Sequence, residues 1–323
     1  MEVLIRYSAV ALLLAGSACD FVRPPTVVDI PRDQLLVHSV LSAGTDTVRV
    51  LLTRPASAQS FDRAPAPIPV SGARVRIAGG GAEVLLREAA EGFAACLTPR
   101  YNGDPSPPPT VAGLGCYTAI LPGGVQADAR YTLEVDTPGG ERARGETTVP
   151  ATPGWIYPRE AERISMRWNL QMGYPVAEAE SVVLRWRSSA AAVEIPISVS
   201  YEVYAGRQAA DAHSCALYLT NPDGSFVAYG TGLVQGDSIR VRAHLTNCTR
   251  RGDPPGSTPL RPDSAAFSLL LAAYDSAYMV HADRRDGRGL REDRASPGLT
   301  GAYGVFGSVA TAGRRVMFVI EGS

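Results

Sequence analysis

From residue 34 to the end of the chain, apolar and polar residues alternate in short runs, and glycine or proline closes most of them. Successive strand residues point to opposite faces, so a period of two marks strands with one buried side and argues against long amphipathic helices. Residues 34–42 (QLLVHSVLS) and 46–53 (DTVRVLLT) are separated by Ala43-Gly44-Thr45, a hairpin signature. In residues 70–77, Val75 and Ile77 share one face while Arg74 and Arg76 share the other. Strands follow at 82–87, 116–121, 130–136 and 141–149, with Gly79-Gly80-Gly81 and Pro138-Gly139-Gly140 as turns. This spacing predicts an all-β chain whose residues 34–150 form an Ig-like β-sandwich.

Pro150-Ala151-Thr152-Pro153-Gly154 cannot continue a ladder and marks the expected boundary to a second, β-rich domain over residues 155–323. Its predicted strands cover 164–170, 181–187, 195–204, 216–219, 238–246 and 265–273. One short helix near 275–283 is capped by Asp275, with Tyr274, Tyr278 and His281 spaced for one face. A closing hairpin is predicted from 302–309 and 314–320 across Thr311-Ala312-Gly313.

The first residues have another character. Arg6 precedes an apolar run at 9–15 (AVALLLA), and Gly16, Ser17 and Ala18 lead into Cys19. A spanning helix needs about 20 apolar residues, so this run reads as the core of a signal peptide covering 1–18. A cysteine at the cut distinguishes a lipoprotein signal, because its thiol accepts a diacylglyceryl group. Gly16 departs from the branched apolar residue usual at that place. Residues 19–33, with Pro24, Pro25 and Pro31, read as a tether. The sequence therefore predicts cleavage before Cys19, lipidation there, and a place in the cell envelope, at the outer membrane.

Net charge is −1, from 31 basic and 32 acidic residues, which excludes a broad nucleic-acid surface. Besides Cys19 the chain has Cys96, Cys116, Cys215 and Cys248, an even number that reads as disulfides in an exported chain. Of the three possible pairings, the sequence-local one, Cys96–Cys116 with Cys215–Cys248, is expected. No CxxC pair or histidine cluster suggests a metal, and no cofactor motif is present. No serine lies in G-x-S-x-G. His38, His213, His244 and His281 are far apart, and Asp211, His213 and Ser214 stand too close together for a catalytic set. The chain is therefore expected not to be an enzyme. Trp155, Tyr157, Trp168, Tyr174 and Trp186 gather around the domain junction, where they pack between domains or in the second core, or form a stacking platform for a carbohydrate or peptide.

Several segments together resemble a known family. Residues 35–52 resemble its opening strand pair, and residues 69–75 (PVSGARV) its "P-V-x-G-A-x-V" strand. Residues 129–133 (ARYTL) through Val149-Pro150 resemble its "Y-x-L" strand and the strand after it. Residues 274–278 (YDSAY) resemble a late tyrosine-bearing helix, and 301–308 (GAYGVFGS) a near-terminal "G-x-G-x-F-G" strand. The family is that of the domain of unknown function 4249, envelope lipoproteins. The resemblance implies an Ig-like first domain, a β-rich second domain and companionship with TonB-dependent outer-membrane transporters, and it brings no enzymatic activity. The expected function is a non-catalytic binding or accessory module; the rival readings are a surface glycan or peptide hydrolase and a structural or adhesive module.

Overall fold

The computed structural model describes residues 34–55, 68–90, 96, 115–171, 174–190, 193–195, 198–199, 202–205, 208–209, 213–220, 234–250, 263–285 and 298–321. Cys19, the signal peptide and the tether lie outside them. Among the described residues the chain is all-β apart from one helix, and Arg32–Ser323 makes one compact unit.

The first strands are β1 Leu36–Ser42, β2 Thr47–Arg54, β3 Ile68–Pro69, β4 Arg74–Gly79, β5 Ala82–Glu88, β6 Cys116–Ile120, β7 Arg130–Asp136 and β8 Arg142–Thr148. The period-two pattern places them as expected: in β8 every second residue is buried, and in β1 Val37, Ser39 and Leu41 all turn inward. Pairing gives one sheet through β5–β6–β2–β1 and a facing sheet through β5–β4–β7–β8, so β5 serves both. Val37, Leu52, Ile77, Tyr117, Tyr131 and Leu133 fill the space between them. Burying tyrosine requires a partner for its hydroxyl. Tyr117 donates to the Val70 carbonyl at 2.9 Å and accepts from the Ala73 amide at 2.9 Å, and desolvation raises its pKa. The Cys96–Cys116 disulfide ties β6 to the loop before it, as the sequence-local pairing requires.

The second group comprises β9 Gly154–Tyr157, β10 Glu162–Gln171, β11 Tyr174–Arg187, β12 Val193–Glu194, β13 Ser198–Val199, β14 Glu202–Ala205, β15 Gln208–Ala209, β16 His213–Thr220, β17 Ser238–Arg250 and β18 Ser264–Tyr274. Helix α1 is Ser276–Arg285, and β19 Leu299–Thr300 and β20 Tyr303–Glu321 end the chain. The pairings run in a ring: β18–β20–β10–β11–β17–β16–β13, with β12 and β14, from the same stretch as β13, returning to β18. A curled sheet that meets itself in this way leaves few free edges. Its interior holds Trp186, Phe267, Leu271 and Phe318, the two phenylalanines edge to face with centroids 5.6 Å apart.

The expected closing hairpin does not form. Residues 303–321 are one strand, and Thr311-Ala312-Gly313 continues the ladder opposite Leu271, Leu270 and their neighbours on β18. β20 lies parallel to β1 over residues 303–309 and parallel to β10 over 316–321. Its amides and carbonyls are satisfied without reversal, by partners that only long-range folding supplies. The chain crosses from the first core to the second between Val149 and Trp155. Yet Leu299, Ala302 and Phe306 return to the first core, whereas Val316, Phe318 and Ile320 belong to the second. The C-terminal strand is thus shared by both.

Helix α1 begins where the sequence placed it. Asp275 Oδ1 accepts the Tyr278 amide at 2.9 Å, capping the first turn. Its other oxygen accepts the Thr147 hydroxyl, which lies 2.8 Å from the Ser308 hydroxyl. Both hydroxyls are buried, so this carboxylate joins helix, β8 and β20 at one point. Tyr274 and Tyr278 stack with centroids 4.5 Å apart. The side chain of His281 lies outside the described residues.

Candidate functional site

The outer surface of the ring carries a groove of ≈790 Å³ where β10 and β11 separate. β10 contributes Arg163, Ser165 and Arg167 by simple alternation, because Ile164 and Met166 point into the core. Glu178 and Ser181 come from β11, and the half-buried Tyr157 closes one end from β9. A bulge between Ala179 and Val182 bends β11 there. On its other side Arg163 borders a smaller hollow of ≈290 Å³, with Arg315 and Met317 of β20 and Ser264 of β18.

Glu178 extends the site into the sheet. It faces His244 in the β11–β17 register, with Oε1 3.6 Å from Nδ1. The other ring nitrogen of His244 is 3.0 Å from the Thr220 hydroxyl on β16. An acid, a base and a hydroxyl therefore stand in a row across three strands. Thr220, however, is only 3% exposed, so no substrate carbonyl reaches its oxygen. The row serves as a satisfied polar seam. Desolvation lowers the His244 pKa from 6.5, against a smaller raising effect of Glu178, and leaves the ring neutral at pH 7.

That direction sets a pH dependence. Below pH 6.5 the unfolded chain binds a proton at His244 that the folded chain resists. The contribution of this residue to stability is therefore full above pH 6.5 and falls as pH drops toward the lowered value. His244→Gln is expected to flatten this part of a stability–pH profile recorded by denaturant unfolding. An unchanged slope would exclude His244 as its source.

Of the five aromatics read as a packing cluster or stacking platform, the three with described side chains separate. Trp155 and Trp186 are 8% and 0% exposed. Their indole N–H groups donate to the carbonyls of Ala312 and Gly236, each at 3.1 Å. They are residues of the second core, which fits the packing reading and removes both from the stacking platform; Trp186 between Arg185 and Arg187 already showed the inward alternation. Tyr157 is at the groove. The side chains of Trp168 and Tyr174 lie outside the described residues. Arg163, Arg167, Glu178 and Glu321 were not singled out from sequence, although the polar-apolar alternation of residues 163–167 (RISMR) already pointed both arginines away from the core.

Among the described residues there is no cluster of three His, Cys, Asp or Glu side chains that could hold a metal, and no helix long and apolar enough to cross a membrane. Cys215 and Cys248 lie on paired strands, where Ser214 faces Thr249 and Ala216 faces Thr246. Cys215 thus occupies the bulge opposite residues 247 and 248. A linked Cys215–Cys248 peptide is expected in non-reducing peptide mapping of the protein purified without reductant; two free thiols would contradict the pairing.

No curated protein matches the chain. A family model, that of a domain of unknown function (DUF4249), matches residues 23–170, which span the first sandwich together with β9 and most of β10. The late residues that carried part of the resemblance, 274–278 and 301–308, fall beyond this match. Through residues 23–170 the chain belongs to the family described as domain of unknown function (DUF4249).

Proposed function

We propose that the protein is a non-catalytic lipoprotein of the cell envelope, held by lipid on Cys19, whose groove engages a partner protein beside a TonB-dependent outer-membrane transporter. The observation that carries this reading is the open groove between β10 and β11, with Arg163 and Arg167 on its rim. It is set on a closed ladder of strands, and sites on such scaffolds hold their geometry better than sites on loops. The burial of Thr220 favours binding over hydrolysis, because a nucleophile must be reachable. The signal-type segment and tether of residues 1–33 support anchoring with the folded unit displayed at a distance from the bilayer. Stable retention takes more than one acyl chain.

The test is co-purification of the tagged full-length protein from detergent-solubilised envelopes. Recovery with a β-barrel receptor is expected. Recovery of the protein alone, from the soluble fraction, would overturn the reading.

A further inference from the structure

The groove is lined by backbone as well as by side chains. β11 meets two strands along one edge: β10 over residues 174–178 and β9 over 185–187. Between them, at residues 179–184, no strand lies on that side among the described residues. The opposite wall is β10, whose residues 162–166 pair with β20 on one side only. Two strand edges therefore face one slot. At ~3.3 Å per residue the stretch opposite 179–184 is about 20 Å long, room for an extended hexapeptide.

On β10 and β11 the core is less covered here than beside it. Ile164, Ala179 and Val182, which line the slot, are 8%, 8% and 5% exposed, whereas Met166, Ala177 and Leu184 on the same strands are 1%, 0% and 1%. An added strand would cover that apolar floor and supply the hydrogen bonds that an open edge lacks.

Charge indicates the kind of strand. Among the described residues, neither Arg163 nor Arg167 has an acidic side chain within ion-pair distance, while Glu178 is turned to His244. We propose that the slot between β10 and β11 receives an extended peptide segment of a partner protein as an added strand, with an acidic side chain held between Arg163 and Arg167. This rests on the reading of the protein as a binding module and names its partner's chemistry.

The test pans a random decapeptide library on the full-length protein. Enriched peptides are expected to alternate apolar residues with Asp or Glu. The charge-reversed chain, Arg163→Glu with Arg167→Glu, should enrich Lys or Arg instead, and both positions are exposed, so folding is spared. N-methylation of an enriched peptide should cost at least tenfold in affinity at amides of both alternate sets, because one set faces β11 and the other β10. No enrichment, indifference to charge reversal, or N-methylation without cost at either set would overturn the inference. Co-purification with a barrel at full yield by the charge-reversed chain would sink this inference and leave the proposed function standing. Acidic peptides bound in the slot without any barrel partner would do the reverse.

Discussion

Gly304→Ala is expected to lower unfolding free energy by about 3 kcal/mol or more, a large share of the stability of an ordinary domain. Gly304 has φ +111°, a conformation that side chains disfavour, and it sits in the parallel pairing of β20 with β1. A Cβ there would lie 1.9 Å from the carbonyl oxygen of Val37, and that oxygen belongs to the backbone of a central strand. The strands cannot separate without exposing Val37, Val305 and Phe306. Gly313→Ala, nine residues along the same strand with open space around it, is the matched control and should shift stability by less than about 0.5 kcal/mol. Thermal unfolding of the two variants decides the matter. Equal melting temperatures would mean that β20 is not held against β1 as described.

The second large effect is expected at Asp275. Asp275→Ala removes an N-cap, worth about 1 kcal/mol, and takes the charged acceptor from the buried Thr147 hydroxyl, which keeps only the Ser308 hydroxyl at 2.8 Å, at about 1 kcal/mol more. A total near 2 kcal/mol is expected, because the same side chain ties α1, β8 and β20 together. Asp275→Asn keeps one oxygen for the Tyr278 amide but, in that orientation, presents a donor to Thr147. It should recover roughly the cap contribution. Denaturant titration of the wild type and the two variants measures this. An alanine variant as stable as the wild type would show that the three elements are joined elsewhere.

Both residues illustrate what was legible in the sequence. Gly304 lies in the stretch 301–308 that carries part of the family resemblance, and Phe306 within it is fully buried. Asp275 announced itself as a cap because acceptor side chains precede helices for a local reason. Strand positions were equally local, since alternation in β1, β7 and β8 follows from which face meets the core. The Cys96–Cys116 bond followed from counting. Long-range pairing was not legible. Residues 311–313 (TAG) have the composition of a turn, and only the presence of β18 alongside makes them a strand. The groove was hidden for the same reason: it exists because β10 leaves β11 to pair with β20, a choice that no short window contains. The row Glu178–His244–Thr220 arises from register among three strands whose members are 24 and 66 positions apart in sequence.

The functional reading proposed above depends on lipid anchoring at Cys19. The most direct measurement is the mass of the mature N-terminus, taken on protein extracted from membranes with detergent. The account predicts a chain that starts at Cys19 and carries the added mass of a diacylglyceryl group, with or without an amide-linked acyl chain. A chain that keeps residues 1–18, or one cut elsewhere with an unmodified Cys19, would contradict it.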